Sequence, residues 1–210
     1  MRMNLNLIIS CLFTLIFSCL SVNAQQDPFQ DSDHELLSIK LGGLLPIEFG
    51  DNFASEAMDF QYGADLQANI YAFEAAFFFG YRFQYLRGNV SNQTLVGNYD
   101  YSNVTFNGIN AGYQISFSEK WSIEPTLSYG WTKFRNYQRS SPNNVDFEDS
   151  AQTLFVSLPV NYSLSRVFQL YFQPEFRRDF MDIDAPAQTS SFFDETNFIN
   201  LVAGVKLSFF

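Results

Sequence analysis

Phe77-Phe78-Phe79-Gly80-Tyr81-Arg82-Phe83-Gln84-Tyr85 is the stretch that decides the fold. Phe77, Phe79, Tyr81, Phe83 and Tyr85 occupy one phase of a two-residue period, with Gly80, Arg82 and Gln84 in the other. Successive side chains of a strand point to opposite faces, so this is a strand with one greasy and one polar side. A helix would scatter the same residues around its circumference.

Outward from this stretch, the same alternation of Phe, Tyr, Val, Ile and Leu recurs between clusters of Asn, Asp, Gly and Ser. It predicts strands near 35–48, 57–70, 75–87, 103–118, 120–136, 152–164, 166–181 and 197–210. The densest apolar run after residue 24, Ala75 to Tyr81, lies between Glu74 and Arg82, well short of a membrane-crossing helix. Connections at 73–74, 118–120 and 163–165 are tight, whereas 88–102, 137–151 and 182–196 are long, with a shorter one at 49–56. In an up-and-down meander alternate connections lie at the same end, so one end carries brief turns and the other the larger loops.

Periodicity alone leaves two barrels open. A soluble lipocalin-like barrel turns its apolar face inward around a ligand, and a membrane barrel turns it out to lipid. Trp121, Ile123, Pro125, Leu127, Tyr129 and Trp131 share one face, with a Trp at each end. Ten residues at ~3.3 Å separate those rings by ~33 Å along the strand. A ~40° tilt reduces this to ~25 Å, the height of the outward apolar band between two aromatic girdles. The expected fold is therefore all-β: an eight-stranded antiparallel up-and-down transmembrane β-barrel, with short periplasmic turns, longer extracellular loops and both termini in the periplasm.

The opposite face then points inward and carries Lys40, Asp59, Asp65, Arg82, Glu124, Glu175, Arg177 and Lys206. Eight strands enclose a lumen just wide enough to be filled by side chains, so these charges should pair. Pro125, Pro159 and Pro174 fall within predicted strands. A closed barrel has no free edge to hide a missing donor, so each should mark a bulge or a strand end.

The 210 residues include 22 Asp and Glu against 12 Lys and Arg, a net charge of -10 that disfavours a nucleic-acid partner. Twenty-five Phe, 11 Tyr and 2 Trp exclude a disordered chain, and the length suits one domain. Arg2, the apolar stretch from Leu5 to Leu20 and Val22-Asn23-Ala24 read as a secretory signal peptide over 1–24, cleaved after Ala24. Cys19 after Ile16-Phe17-Ser18 offers a rival lipoprotein reading, against which the bulky Phe17 counts. Cleavage leaves 210 - 24 = 186 residues, no cysteine and a charge of 11 - 22 = -11. A periplasmic linker, 25–34, leads into a barrel domain, 35–210.

The C-terminal run Asn200-Leu201-Val202-Ala203-Gly204-Val205-Lys206-Leu207-Ser208-Phe209-Phe210 resembles the closing strand of Gram-negative outer-membrane barrels. The resemblance implies that Phe209 and Phe210 are an address for the barrel-assembly machinery. Thr153 to Leu164 followed by Phe168 to Phe176 is similar to the small outer membrane β-barrel domain family of Bacteroidota, which includes porin-like, OmpA-like and PorT-type proteins. That resemblance spans the chain after the signal and implies an eight-stranded outer-membrane barrel. One member type is associated with type IX secretion, and no residue here carries that role over.

Little supports chemistry. Nucleophilic catalysis needs an activated His, and the single His34 precedes the first strand. Acidic clusters at Asp146, Glu148 and Asp149, at Asp182 and Asp184, and at Asp194 and Glu195 read as solvated loop charge, with hard-cation binding as the rival. Gly42-Gly43 opens no phosphate-binding helix, and no cofactor is implied. Arg135, Arg139 and Arg178 near the strand tops suit lipopolysaccharide phosphates. The expectation is a non-enzymatic outer-membrane barrel with a filled polar interior, meeting outer-membrane lipid, lipopolysaccharide or an unknown protein partner through its loops. A narrow porin-like channel, an accessory subunit of a secretion or assembly complex, and a periplasmic lipocalin-like binder are the alternatives.

Overall fold

The computed structural model describes residues 35–72, 76–139, 145–182 and 190–210. The expected signal segment with Ala24, and the expected linker with His34, lie outside the described residues. The first three walls are β1 (Leu37–Phe49), β2 (Met58–Ala72) and β3 (Phe77–Val90). The fourth is β4 (Tyr101–Tyr113) continued by β5 (Ile115–Ser116), and the fifth is β6 (Trp121–Ile123) with β7 (Thr126–Tyr137). The sixth is β8 (Val145–Ser157) with β9 (Val160–Ser163), followed by β10 (Phe168–Asp182) and β11 (Glu195–Phe209). Each wall pairs antiparallel with the next, and β11 pairs with both β10 and β1, so eight walls close into a barrel.

The ladder leaving β1 at Leu37 passes through Ile70, Phe79, Ala111, Leu127, Val156, Phe176 and Ile199, and returns to β1 at Ile47. The stagger is thus 47 - 37 = 10 residues. With strands ~4.8 Å apart and a ~3.3 Å rise, that stagger in eight strands means a tilt of ~40°.

Two expectations need correction. β8 begins at Val145, seven residues before the predicted start at Gln152, so the second half of the supposed 137–151 loop is strand, with Arg135 opposite Glu148 and Lys133 opposite Ser150. Its Asp and Glu residues concealed a strand whose partner supplies the balancing cations. Asp59 lies on the outer, exposed side of β2 and takes no part in the interior. The register shifts between Phe60 and Tyr62, and this bulge exchanges the two phases of the strand. Met58 and Phe60 point inward on one side of it, and Asp65, Gln67, Asn69 and Tyr71 on the other. Reading one phase through an extra residue puts Asp59 on the wrong face.

The prolines gather at one irregularity. Pro125 and Pro159 sit in the breaks between β6 and β7 and between β8 and β9. Pro174 lies within β10 opposite Leu201, but its other side faces the break, where its carbonyl accepts from the Leu158 N–H. The missing donor therefore points where no ladder runs.

Short helices cap the loop end: α1 (Phe53–Ala57), α2 (Gln93–Val96) and α3 (Ser190–Phe193). Asn52 and Asn92 cap the first two, and α2 stops at Gly97, whose φ of 106° favours glycine. Helices this short need tertiary support. Phe53 and Ala54 supply it by sinking into an apolar cluster with Phe60, Leu86, Tyr99, Val104, Phe134 and Phe198, against which Val96, Phe192 and Phe193 pack. No helix among the described residues is long and apolar enough to cross a membrane.

Candidate functional site

The interior is layered along the barrel axis. Nearest the turns, Glu124 accepts hydrogen bonds from Lys40 and, at 2.7 Å, from Lys206. Lys206 also reaches Glu35 at 3.0 Å and the Tyr71 hydroxyl at 2.8 Å. Two cations thus meet two carboxylates, and the Tyr71 hydroxyl donates to Glu124 at 3.2 Å.

The middle layer is built on two guanidinium groups. Arg82 Nε bonds Asp65 at 2.8 Å, and its terminal nitrogen is 2.5 Å from Glu175. Arg177 bonds both oxygens of Asp179 at 2.9 and 3.1 Å, Gln84 at 3.1 Å and Thr132 at 3.2 Å. Gln84 returns donors to Asp65 at 3.1 Å and Glu175 at 3.2 Å, tying the two Arg groups into one network. Asn200 and Gln173 complete Glu175, while Thr153 and Thr196 complete Asp179. The Phe155 ring lies 4.4 Å from the Arg82 guanidinium and 5.4 Å from that of Arg177, replacing water with a π face.

The structure thus places Lys40, Asp65, Arg82, Glu124, Glu175, Arg177 and Lys206 inside, all essentially buried. Asp179 and Glu35 join them unannounced. Asp179 was within reach of the alternation, since Glu175, Arg177 and Asp179 share one phase of β10; Glu35 opens the expected 35–48 strand in the phase opposite Lys40, which reads as outward, whereas it lies ahead of β1 and is buried. Above the Arg layer the polar lining gives way to the apolar plug already described.

The outer face is the reverse. Trp121 and Trp131 both point out, 44% and 65% exposed, in a row with Leu127 and Tyr129. Rows on the other walls include Leu41, Leu45, Leu66, Ile70, Phe79, Tyr81, Leu170 and Phe172. Among the described residues, outward strand charges occur only toward the loop end, at Asp59, Arg87, Lys133, Arg135, Glu148, Arg178 and Glu195. Three outward amides each accept a hydroxyl from the neighbouring strand, two of them in the uncharged belt and the third, Asn103, between Arg87 and Arg135 at its loop-side edge. Tyr81 donates to Asn107 at 2.5 Å, Tyr129 to Gln152 at 2.7 Å, and Tyr85 to Asn103 at 3.0 Å.

At the loop end Lys133 and Arg135 both hold Glu148, at 2.6 and 3.0 Å, and Arg178 holds Glu195. The Lys133 hydrogen bond, then that from Arg135, lowers the Glu148 carboxyl below its ordinary range. Burial raises Asp149, opposed by a 2.9 Å hydrogen bond from Asn136, and burial with the nearby Asp149 charge raises the Tyr99 hydroxyl. Arg139, the third of the strand-top arginines, donates its backbone N–H to Asp100 at 2.7 Å. Phe209 and Phe210 are exposed on the closing strand and beyond it, with the Arg166 guanidinium 4.4 Å from the Phe210 ring.

Solved outer-membrane barrels share this fold. Neisserial surface protein A is 10% identical over 82% of this chain and 97% of its own, with a TM-score of 0.54. Ail, the attachment invasion locus protein of Yersinia pestis, determined in complex with the heparin analogue sucrose octasulfate, is 12% identical over 84% of this chain and 99% of its own, with a TM-score of 0.50. Identities this low speak to fold alone. No curated protein matches the sequence. A family model described as "Protein of unknown function (DUF3575)" matches residues 66–170, from the middle of β2 into β10 and half of the 210-residue chain, and the chain belongs to that family.

Proposed function

We propose that this protein is a non-enzymatic outer-membrane barrel with a filled polar interior, serving a structural or surface-interaction role through loops that face out of the cell. The observation that carries the membrane reading is the outer belt. A water-facing barrel has no need to keep one face free of charge or to cap its outward amides. In hydrocarbon an unpaired polar group costs ~2–7 kcal/mol, and the Tyr81 and Tyr129 hydroxyls offset part of it by donating to the Asn107 and Gln152 amide oxygens. The inward Arg82 and outward Phe rows run against a lipocalin-like cavity.

The interior supports a structural role over conduction. Charged groups tie strands across the lumen in both polar layers, and an apolar plug lies over them on the loop side. On this reading residues 1–24 are removed on export after Ala24. Phe209 and Phe210 serve the barrel-assembly machinery, and outer-membrane lipid and lipopolysaccharide surround the belt.

The two tryptophans test the membrane reading separately. In vesicles containing lipids brominated at known depths, Trp121→Phe leaves Trp131 as the reporter, and Trp131→Phe leaves Trp121. Both are expected to be quenched most by shallow bromines, as girdle residues at opposite interfaces. Absence of quenching in both variants would place the belt in water.

A further inference from the structure

A small pocket opens among the loop-end elements, at the top of the apolar plug. It is lined by Phe53 of α1, Val96 of α2, Tyr99 of the connection before β4, Phe147 and Asp149 of β8, and Phe193 of α3, and holds about 80 Å3. Phe53 and Phe193 stack with ring centroids 5.8 Å apart, and Tyr99 meets Phe147 edge to face at 5.1 Å. Four aromatic rings and one carboxylate therefore share one small space.

The Asp149 carboxylate has a neutral partner, Asn136, and among the described residues no cation pairs with it. Lys133 and Arg135 on the facing strand are turned to Glu148 instead. Residues 140–144 and 183–189 contain neither Lys nor Arg. The chain thus builds a site for positive charge and does not fill it from these segments. Aromatic faces carry negative quadrupole potential, and a carboxylate at the wall adds a full charge.

Size and hydrogen-bonding capacity narrow the cation. About 80 Å3 exceeds the ~10–15 Å3 that one water needs but lies far below the ~300 Å3 of the smallest ordinary ligand sites, a size that suits a small head group. A primary ammonium brings three N–H donors, and of the three side-chain oxygens in the lining, two on Asp149 and one on Tyr99, one already accepts from Asn136. A methylated ammonium has no N–H to satisfy. We propose that this pocket binds a quaternary ammonium head group, held by the Phe53, Tyr99, Phe147 and Phe193 rings and neutralised by Asp149.

This deepens the surface-interaction reading, on which the pocket's outward position rests; binding itself does not depend on a membrane. The test uses the folded chain in octyl glucoside, a detergent without an ammonium group, with NMR titrations of three probes. Choline is quaternary, 3,3-dimethyl-1-butanol has the same shape without charge, and butylammonium is a primary amine. Choline is expected to bind about tenfold more tightly than the neutral alcohol and more tightly than butylammonium. Asp149→Asn and Phe147→Ala, the latter altering a ring already 41% exposed, should each weaken choline binding several-fold while the barrel still resists unheated SDS. Choline binding no tighter than the alcohol, tighter binding of butylammonium, or no saturable shift overturns the proposal. Failure here leaves the membrane reading intact, and failure of tryptophan quenching leaves this binding result intact.

Discussion

Arg82 on β3 and Glu175 on β10 meet across the barrel lumen at 2.5 Å, although 93 positions separate them in sequence. Removing the cation with Arg82→Met strands two buried carboxylates, since Asp65 shares the same guanidinium. Breaking one side of a buried pair costs ~3–5 kcal/mol, and urea unfolding in detergent should show a loss of that size. Adding Asp65→Asn and Glu175→Gln to the same chain should recover most of it, because no uncompensated charge remains. Full stability of Arg82→Met alone would mean that the layer is hydrated.

Tyr129→Phe removes the donor that Gln152 receives on the outer face. Leaving a buried polar group without its partner costs ~1–3 kcal/mol in folded proteins, less than full transfer to hydrocarbon, so unfolding from lipid bilayers should become easier by about that much. Gln152→Leu in the same background should restore stability. If both variants match the parent in bilayers, the belt at Gln152 is wet.

Gly42 and Gly43 give a paired test of which face is filled. A Cβ on Gly42 would collide with the Tyr171 hydroxyl and Val202 inside, whereas one on Gly43 would meet nothing nearby. Gly42→Ala should destabilise by ~1–3 kcal/mol through overpacking, and Gly43→Ala should be neutral or slightly stabilising. Equal effects in equilibrium unfolding would contradict the assigned inward and outward phases.

Inward and outward phases were legible wherever a strand stayed regular. Lys40, Arg82, Arg177 and Lys206 could be sided from alternation alone, because one face of each strand is greasy and the other is not. Asp59 could not, because the bulge after Phe60 adds one residue and no sequence signal announces it. The early start of β8 was hidden because Glu148 reads as solvated charge until Lys133 and Arg135 are seen opposite it. The plug and its pocket were illegible for another reason. Phe53, Tyr99, Phe134 and Phe193 come from four distant segments, and only barrel closure brings them together.

Glu148 supplies a pH test outside the belt. Its carboxyl is held low in the folded chain by Lys133 and Arg135, so its contribution is fully present above the unfolded value of ~4.3 and is lost as pH falls through the folded value. Amide protection factors at the outer end of the β7–β8 ladder, corrected for the intrinsic slowing of exchange in acid, should fall over that acidic window, and less so in Glu148→Gln. Asp149, raised by burial, contributes with the opposite sign, which is why the comparison is with the single variant. Identical profiles for parent and variant would show that the surface pair is fully screened.

Fractionation of cells expressing the full chain, followed by SDS gels of boiled and unboiled samples, tests the central claim most directly. The account predicts a protein in the outer-membrane fraction that runs as a compact band until heated, as a closed barrel sealed by the β1–β11 ladder should. A water-soluble protein whose migration does not change on heating would contradict it.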